Sequence, residues 1–157
     1  MRSLVVAALI GLTTVGAATS ATPTTGCRAA QTTVTINRFI AAFNHGDRAA
    51  LNNQIWGGKL YFKWYSVTAE PGARVDPDAR RRDTLMTYFA IRHAAGEQLL
   101  LTSLRLNGMT ADAYRNFEFH LLRSANDQPA GPLRYQGKGA TSCATGRLIT
   151  WVMTPSP

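Results

Sequence analysis

Two cysteines, three histidines and nine carboxylates are all that 157 residues contain, and each scarcity excludes something. Structural zinc wants four ligands, whereas His45, His93 and His120 stand far apart with no HxxH or CxxC spacing, so no metal site is expected. The missing G-x-S-x-G elbow removes the serine hydrolase reading, and the missing low-complexity tracts remove disorder. The longest apolar run, Leu4 to Ala18, falls short of the ~20 residues that a spanning helix needs. It follows Met1-Arg2-Ser3 and precedes small residues, so residues 1–21 read as a signal peptide and the compartment as secreted or extracytoplasmic. Residues 22–30 are then a linker holding Cys27, and 31–155 one domain that buries roughly two thirds of its unfolded surface.

Charge is present, but of one sign. Seventeen Lys and Arg, fourteen of them Arg, face nine acids, giving a net charge of +8. Such a balance suits an acidic ligand or an anionic envelope surface; nucleic acid is not expected, because no binding module is recognisable. Cys27 and Cys143 suit an oxidising compartment, where a lone pair is bridged rather than metal-bound. Thr25-Gly26-Cys27 also ends like a lipoprotein processing site, although Thr24 stands where such sites carry a Leu-like residue.

Ile36, Phe39, Ile40 and Phe43 repeat at three and four residues and predict a helix over Gln31 to Asn44, ended by Gly46. Asp47 caps a second helix carrying Leu51 and Ile55 and stopped by Gly57-Gly58. Leu60 to Val67 is aromatic and β-branched, hence a strand, and Thr68 to Arg82 is a long loop. Asp83 caps a third helix to about Gly96 with the stripe Leu85, Met86, Phe89 and His93. Four extended runs close the chain: Gln98 to Asn107, Tyr114 to Arg123, Leu133 to Ala140 and Arg147 to Thr154. The order α-α-β-α-β-β-β-β describes an α+β domain whose curved antiparallel sheet is covered on one face by three helices.

That order, with the turn Phe43-Asn44-His45-Gly46-Asp47, resembles the nuclear transport factor 2-like superfamily, the cone fold of ketosteroid isomerases and polyketide cyclases. The segment Tyr135-Gln136-Gly137-Lys138-Gly139-Ala140 through Cys143 to Trp151 is similar to that of uncharacterised secreted bacterial members. The resemblance implies a pocket inside the cone, a homodimer through the outer sheet face, and a closing strand near the first helix. With the even cysteine count, that last implication makes Cys27–Cys143 a disulfide.

The fold alone implies no reaction. Carried over through Gly46-Asp47, the ketosteroid isomerase pattern places Phe39 where a donor phenol would stand and Lys63 where the carboxylate base would stand. Neither can do that chemistry, and no Asp or Glu occurs between Arg48 and Ala69. Other catalytic candidates are Glu118 and His120, neighbours on one face of a strand whose other face carries Phe117, Phe119 and Leu121, and His93. Alternation sends that polar face outward. Trp56, Phe62, Trp64, Phe89, Phe117 and Phe119 are the candidate lining of an apolar or aromatic ligand pocket. Lys63 is expected to point to solvent. Arg80-Arg81-Arg82 with Arg74 is interleaved with Asp76, Asp78 and Asp83, as in a solvated loop. The reading is an exported, non-catalytic small-molecule binding or accessory domain without a cofactor. Its alternatives are an isomerase, cyclase or hydrolase using Glu118, His120 or His93, and a surface lipoprotein that binds anionic envelope polymers.

Overall fold

The computed structural model describes residues 27–55, 63–67, 74–75, 82–110, 113–128 and 131–157, with the backbone alone for 63–67 and 74–75. Helix α1, Ala29–His45, buries Thr32, Thr35, Ile36, Phe39, Ile40 and Phe43 along one stripe. Gly46 ends it at φ 65°. Its N–H donates to the Phe43 carbonyl at 3.1 Å, while that of Asp47 donates to Ala42 at 2.9 Å. A side chain at Gly46 would also collide with the His93 ring, whose Cδ2 lies 2.5 Å from the position of a Cβ. Asp47 then caps α2, Arg48–Gln54, its carboxylate accepting from the Ala50 N–H at 2.9 Å.

Helix α3 spans Arg82–Ala94, so Asp83 lies inside its first turn instead of capping it. There it still favours the positive end of the helix dipole. The buried face is Leu85, Met86, Tyr88, Phe89 and Arg92. His93, expected on that stripe, is exposed; the face continues through Arg92, three residues beyond Phe89, and leaves His93 outside.

Among the described residues one six-stranded sheet holds β1 (Lys63–Val67), β2 (Arg74–Val75), β3 (Gln98–Met109), β4 (Tyr114–Ser124), β5 (Leu133–Ser142) and β6 (Leu148–Pro155) in the order β2-β1-β6-β5-β4-β3. From β3 to β6 it is an antiparallel meander. Two features depart from the sequence reading: β2 forms inside the expected loop, and β1 joins β6 in parallel. The chain leaves β1, crosses α3 and completes the whole meander before returning beside it. Trp64 is registered with Trp151 and Lys63 with Thr150. The expected directions of Phe62, Lys63 and Trp64 lie outside the described side chains.

Phe117, Phe119, Leu121, Tyr135, Trp151 and Met153 face the helices and are essentially fully buried. Phe119 stacks on Trp151 at 4.2 Å, and Phe39 of α1 reaches Trp151 at 5.1 Å and Phe89 of α3 at 6.1 Å. Gly137 and Gly139 make this packing geometrically feasible. A Cβ on either would lie 2.3 Å from the ring of Phe119 or Phe117, respectively, so the rings lie over bare backbone.

The Cys27–Cys143 disulfide is formed, its Cα atoms 4.5 Å apart across 116 residues. Both half-cystines are buried. Arg115 Nε donates to the Cys27 carbonyl at 2.8 Å, and the Cys143 N–H donates to Ala113 at 2.9 Å. The start of α1 is thereby tied to the start of β4 and the end of β5. No helix among the described residues is long and apolar enough to cross a membrane.

Candidate functional site

At the other end of the meander the buried face changes chemistry. Strand alternation, having turned Phe117, Phe119 and Leu121 inward, turns Arg123 inward as well, and it has no exposed surface. Helical spacing does the same for Arg92. Two guanidinium groups inside a core are too costly to leave unpaired. Their common partner is Glu97, fully buried at the corner between α3 and β3, where its N–H donates back to the Arg92 carbonyl at 3.0 Å.

Glu97 Oε1 accepts from Arg123 Nε at 2.7 Å, and Oε2 accepts from Arg123 Nη2 at 2.9 Å and from Arg92 Nε. The Arg123–Glu97 contact is a two-pronged fork, the geometry that suits guanidinium to carboxylate best. Arg123 Nη1 donates to the Tyr135 hydroxyl at 3.2 Å, with its Cζ 5.3 Å from the centre of that ring. Arg92 uses its remaining edge on Asp127 of the β4–β5 turn, Nη1 to Oδ2 at 2.6 Å and Nη2 to Oδ1 at 2.8 Å. Two cations and two anions therefore form one linked chain running from the core to the half-exposed Asp127.

The electrostatics follow from these contacts. Arg92 is raised above the usual guanidinium value, chiefly by its bonds to Asp127, with Glu97 adding to them against the cost of burial. Burial pulls Arg123 downward, and the bonds and charge of Glu97 overcome it, so the net direction is again upward. The Arg92 guanidinium holds the Asp127 carboxyl below the usual carboxylate range. Next to the cluster, Asn44 of α1 clamps β3 by accepting from the Leu99 N–H at 2.8 Å and donating to the Leu99 carbonyl at 2.9 Å.

The sequence-derived candidates separate into three groups. Phe89, Phe117 and Phe119 come together in the interior with Trp151 and Phe39. Trp56 and Phe62 lie outside the described residues, as does the side chain of Trp64. Glu118 and His120 share the exposed outer face, where Glu118 accepts from Asn107 Nδ2 at 3.2 Å and lies 3.8 Å from Arg105. With His93 exposed against Gly46, none of the three catalytic candidates faces the interior. Among the described residues no three His, Cys, Asp or Glu side chains gather as metal ligands.

Arg92, Glu97, Arg123 and Asp127 did not emerge as candidates from the sequence, although the period of α3 and the alternation of β4 both carried an arginine into the core.

Neither a protein-family model nor a curated protein matches the sequence. Solved structures do match in three dimensions. A candidate dehydratase of the NTF2-like family from Streptomyces avermitilis superposes with a TM-score of 0.59 at 14% identity, over 82% of this chain and 95% of its own. A cystatin-like-fold protein of unknown function from Methylobium petroleophilum PM1 gives 0.58 at 14% identity, over 83% and 79%. A candidate ketosteroid isomerase from Kribbella flavida gives 0.51 at 11% identity, over 82% and 79%. Likenesses at such low identity establish the fold.

Proposed function

We propose that this chain, which has the nuclear transport factor 2-like fold, is a non-catalytic small-molecule binding or accessory domain whose ligand is apolar or aromatic. The observation that carries the reading is Phe39. At the position that the isomerase pattern gives to a phenol, this chain has a hydrocarbon ring packed among Phe43, Phe89 and Trp151. It can donate nothing to a developing enolate. The buried carboxylate of Glu97 is equally committed, both of its oxygens being taken by guanidinium groups. An interior of rings with one ionic corner suits a ligand held by apolar contact with a polar tip.

The proposal extends to export. Residues 1–21 are a leader, and the mature chain begins upstream of Cys27. Because the Cys27 sulfur is bonded to Cys143, lipid at Cys27 and this disulfide exclude one another. Intact mass of the processed protein decides between them: loss of residues 1–21 with two fewer hydrogens supports the disulfide, and a diacylglyceryl increment overturns it.

The functional test is titration of the purified protein with 1-anilinonaphthalene-8-sulfonate and with a Δ5-ketosteroid, followed by an isomerase assay on the latter. Saturable binding without turnover is expected. Turnover abolished by one carboxylate substitution would refute the reading and restore an isomerase. Absence of saturable binding by either probe would refute the ligand pocket.

A further inference from the structure

The face of the sheet turned away from the helices carries a second pattern. Three depressions run end to end along it. One is lined by Arg134, His120 and Ser156, the next by His120, Gln136, Lys138 and Thr154, and the third by Lys138, Asn116 and Thr150. They share His120 at one junction and Glu118 with Lys138 at the other, so they form one open trough. From Arg134 to Ala140 on β5 the trough is about 20 Å long, at about 3.3 Å per residue. That length and openness suit an extended polymer, whereas small ligands are enclosed in concave pockets.

The trough mixes cations, hydroxyls and amides with the apolar Leu122 and Val152. Arg134 and Lys138 line the trough, and Arg105 stands exposed beside it on β3, 3.8 Å from Glu118, the one carboxylate there among the described residues. Between them lie short amides and hydroxyls that donate and accept at many angles. Arg134 and Lys138 are four residues apart on one strand, hence about 13 Å. Widely spaced cations among hydrogen-bonding groups, with Glu118 in register between Arg105 and Lys138, complement a chain whose negative charges are also spaced, with hydroxyls between.

We infer that this trough binds a linear acidic polysaccharide carrying carboxylates at intervals along its sugars. A second copy of the chain fits the face poorly, since two such surfaces would set three cations and one carboxylate against the same set, whereas interface centres are depleted of charge. Nucleic acid fits it poorly too. Its backbone charge is far denser than this row of cations, and among the described residues the aromatic side chains that line the trough, Phe117, Phe119 and Tyr135, are buried towards the core. The inference uses the opposite face from the proposed ligand pocket, so either can fail without the other.

Affinity electrophoresis or interferometry with hyaluronate, neutral dextran and a DNA duplex tests it, beside sedimentation velocity of the protein alone. Hyaluronate should bind at low ionic strength, dextran should not, and DNA should bind more weakly. The double variant Arg134→Gln/Lys138→Gln should weaken hyaluronate binding roughly tenfold or more and flatten its dependence on ionic strength. Arg38→Gln/Arg48→Gln removes the same charge from exposed positions on the helices. It should leave binding unchanged, with thermal melts confirming that both variants fold. Equal weakening by the two variants overturns the site. So do equal binding of dextran, tighter binding of DNA, absence of hyaluronate binding, or a dimer that only the trough variant dissociates.

Discussion

The two ends of the meander are closed by different kinds of bond. At one end a disulfide joins the start of α1 to the turn after β5, tying segments 116 residues apart. At the other, Glu97 joins Arg92 of α3 to Arg123 of β4, with Asp127 and Tyr135 at the margins. The covalent end confines the unfolded chain and responds to reductant. The ionic end acts in the folded state, where one buried carboxylate holds two guanidinium groups, and its outer margin responds to pH. Between them lie the stacked rings of Phe119 and Trp151, which respond to neither.

The largest effect is expected from removing the shared anion. Glu97→Gln preserves size and leaves Arg123 buried without its countercharge, costing about 3 to 5 kcal/mol in urea denaturation. Replacing the three together, Arg92→Leu, Glu97→Leu and Arg123→Met, should cost far less or even stabilise, because no charge is then left buried. If the triple variant loses as much as the single one, the cluster supplies net stability and the contrast between the ends weakens. At the opposite end, Cys27→Ser with Cys143→Ser should cost about 2 to 4 kcal/mol. Reductant should produce that loss in the parent protein and none in the double variant.

Most of the fold is legible because it obeys two periods. Ile36, Phe39, Ile40 and Phe43 show α1 at helical spacing, and Phe117, Phe119 and Leu121 show β4 by alternation. The strand β2 was not legible, being two residues, Arg74 and Val75, with no period of their own. Nor was the parallel seam of β1 with β6, which depends on how a chain more than eighty residues longer returns to it. The ionic end was half legible. Its arginines sit where both periods point inward, but a charged side chain reads as surface until a partner is known. Glu97 has no period to mark it, since it lies at a corner. The trough on the outer face follows from alternation at once, but its continuity across β4, β5 and β6 depends on register.

The region between the ends can be probed by adding one carbon. Gly139→Ala would bring its Cβ to 2.3 Å from the Phe117 ring and 2.5 Å from the Thr150 carbonyl oxygen. Backbone cannot yield as a flexible side chain does, so about 1 to 3 kcal/mol of stability should be lost. Gly108, which has open space around it, serves as the control, and Gly108→Ala should change the urea midpoint little. An unaffected Gly139→Ala would mean that the rings have room to move, and with it room for a ligand.

The smallest effect separates the two ends by pH. Arg92 holds the Asp127 carboxyl below its ordinary value, so the folded state binds that proton less readily than the unfolded chain does. The stabilisation is therefore complete above the unfolded pKa of about 4. It is lost as pH falls through that value towards the lower one of the folded protein. Asp127 is half exposed, its side chain retaining 52% of its surface, so water screens the pair. The contribution is about 1 kcal/mol or less despite the two-pronged contact. Asp127→Asn should lower the thermal midpoint slightly at pH 7, and the gap from the parent should close as the pH falls below about 4. The disulfide variant should show a gap that stays open over the same range, because nothing in a covalent bond between two sulfurs titrates there. A constant gap for Asp127→Asn would mean that its carboxylate acts through the shape of the β4–β5 turn, with Arg92 satisfied by Glu97 alone.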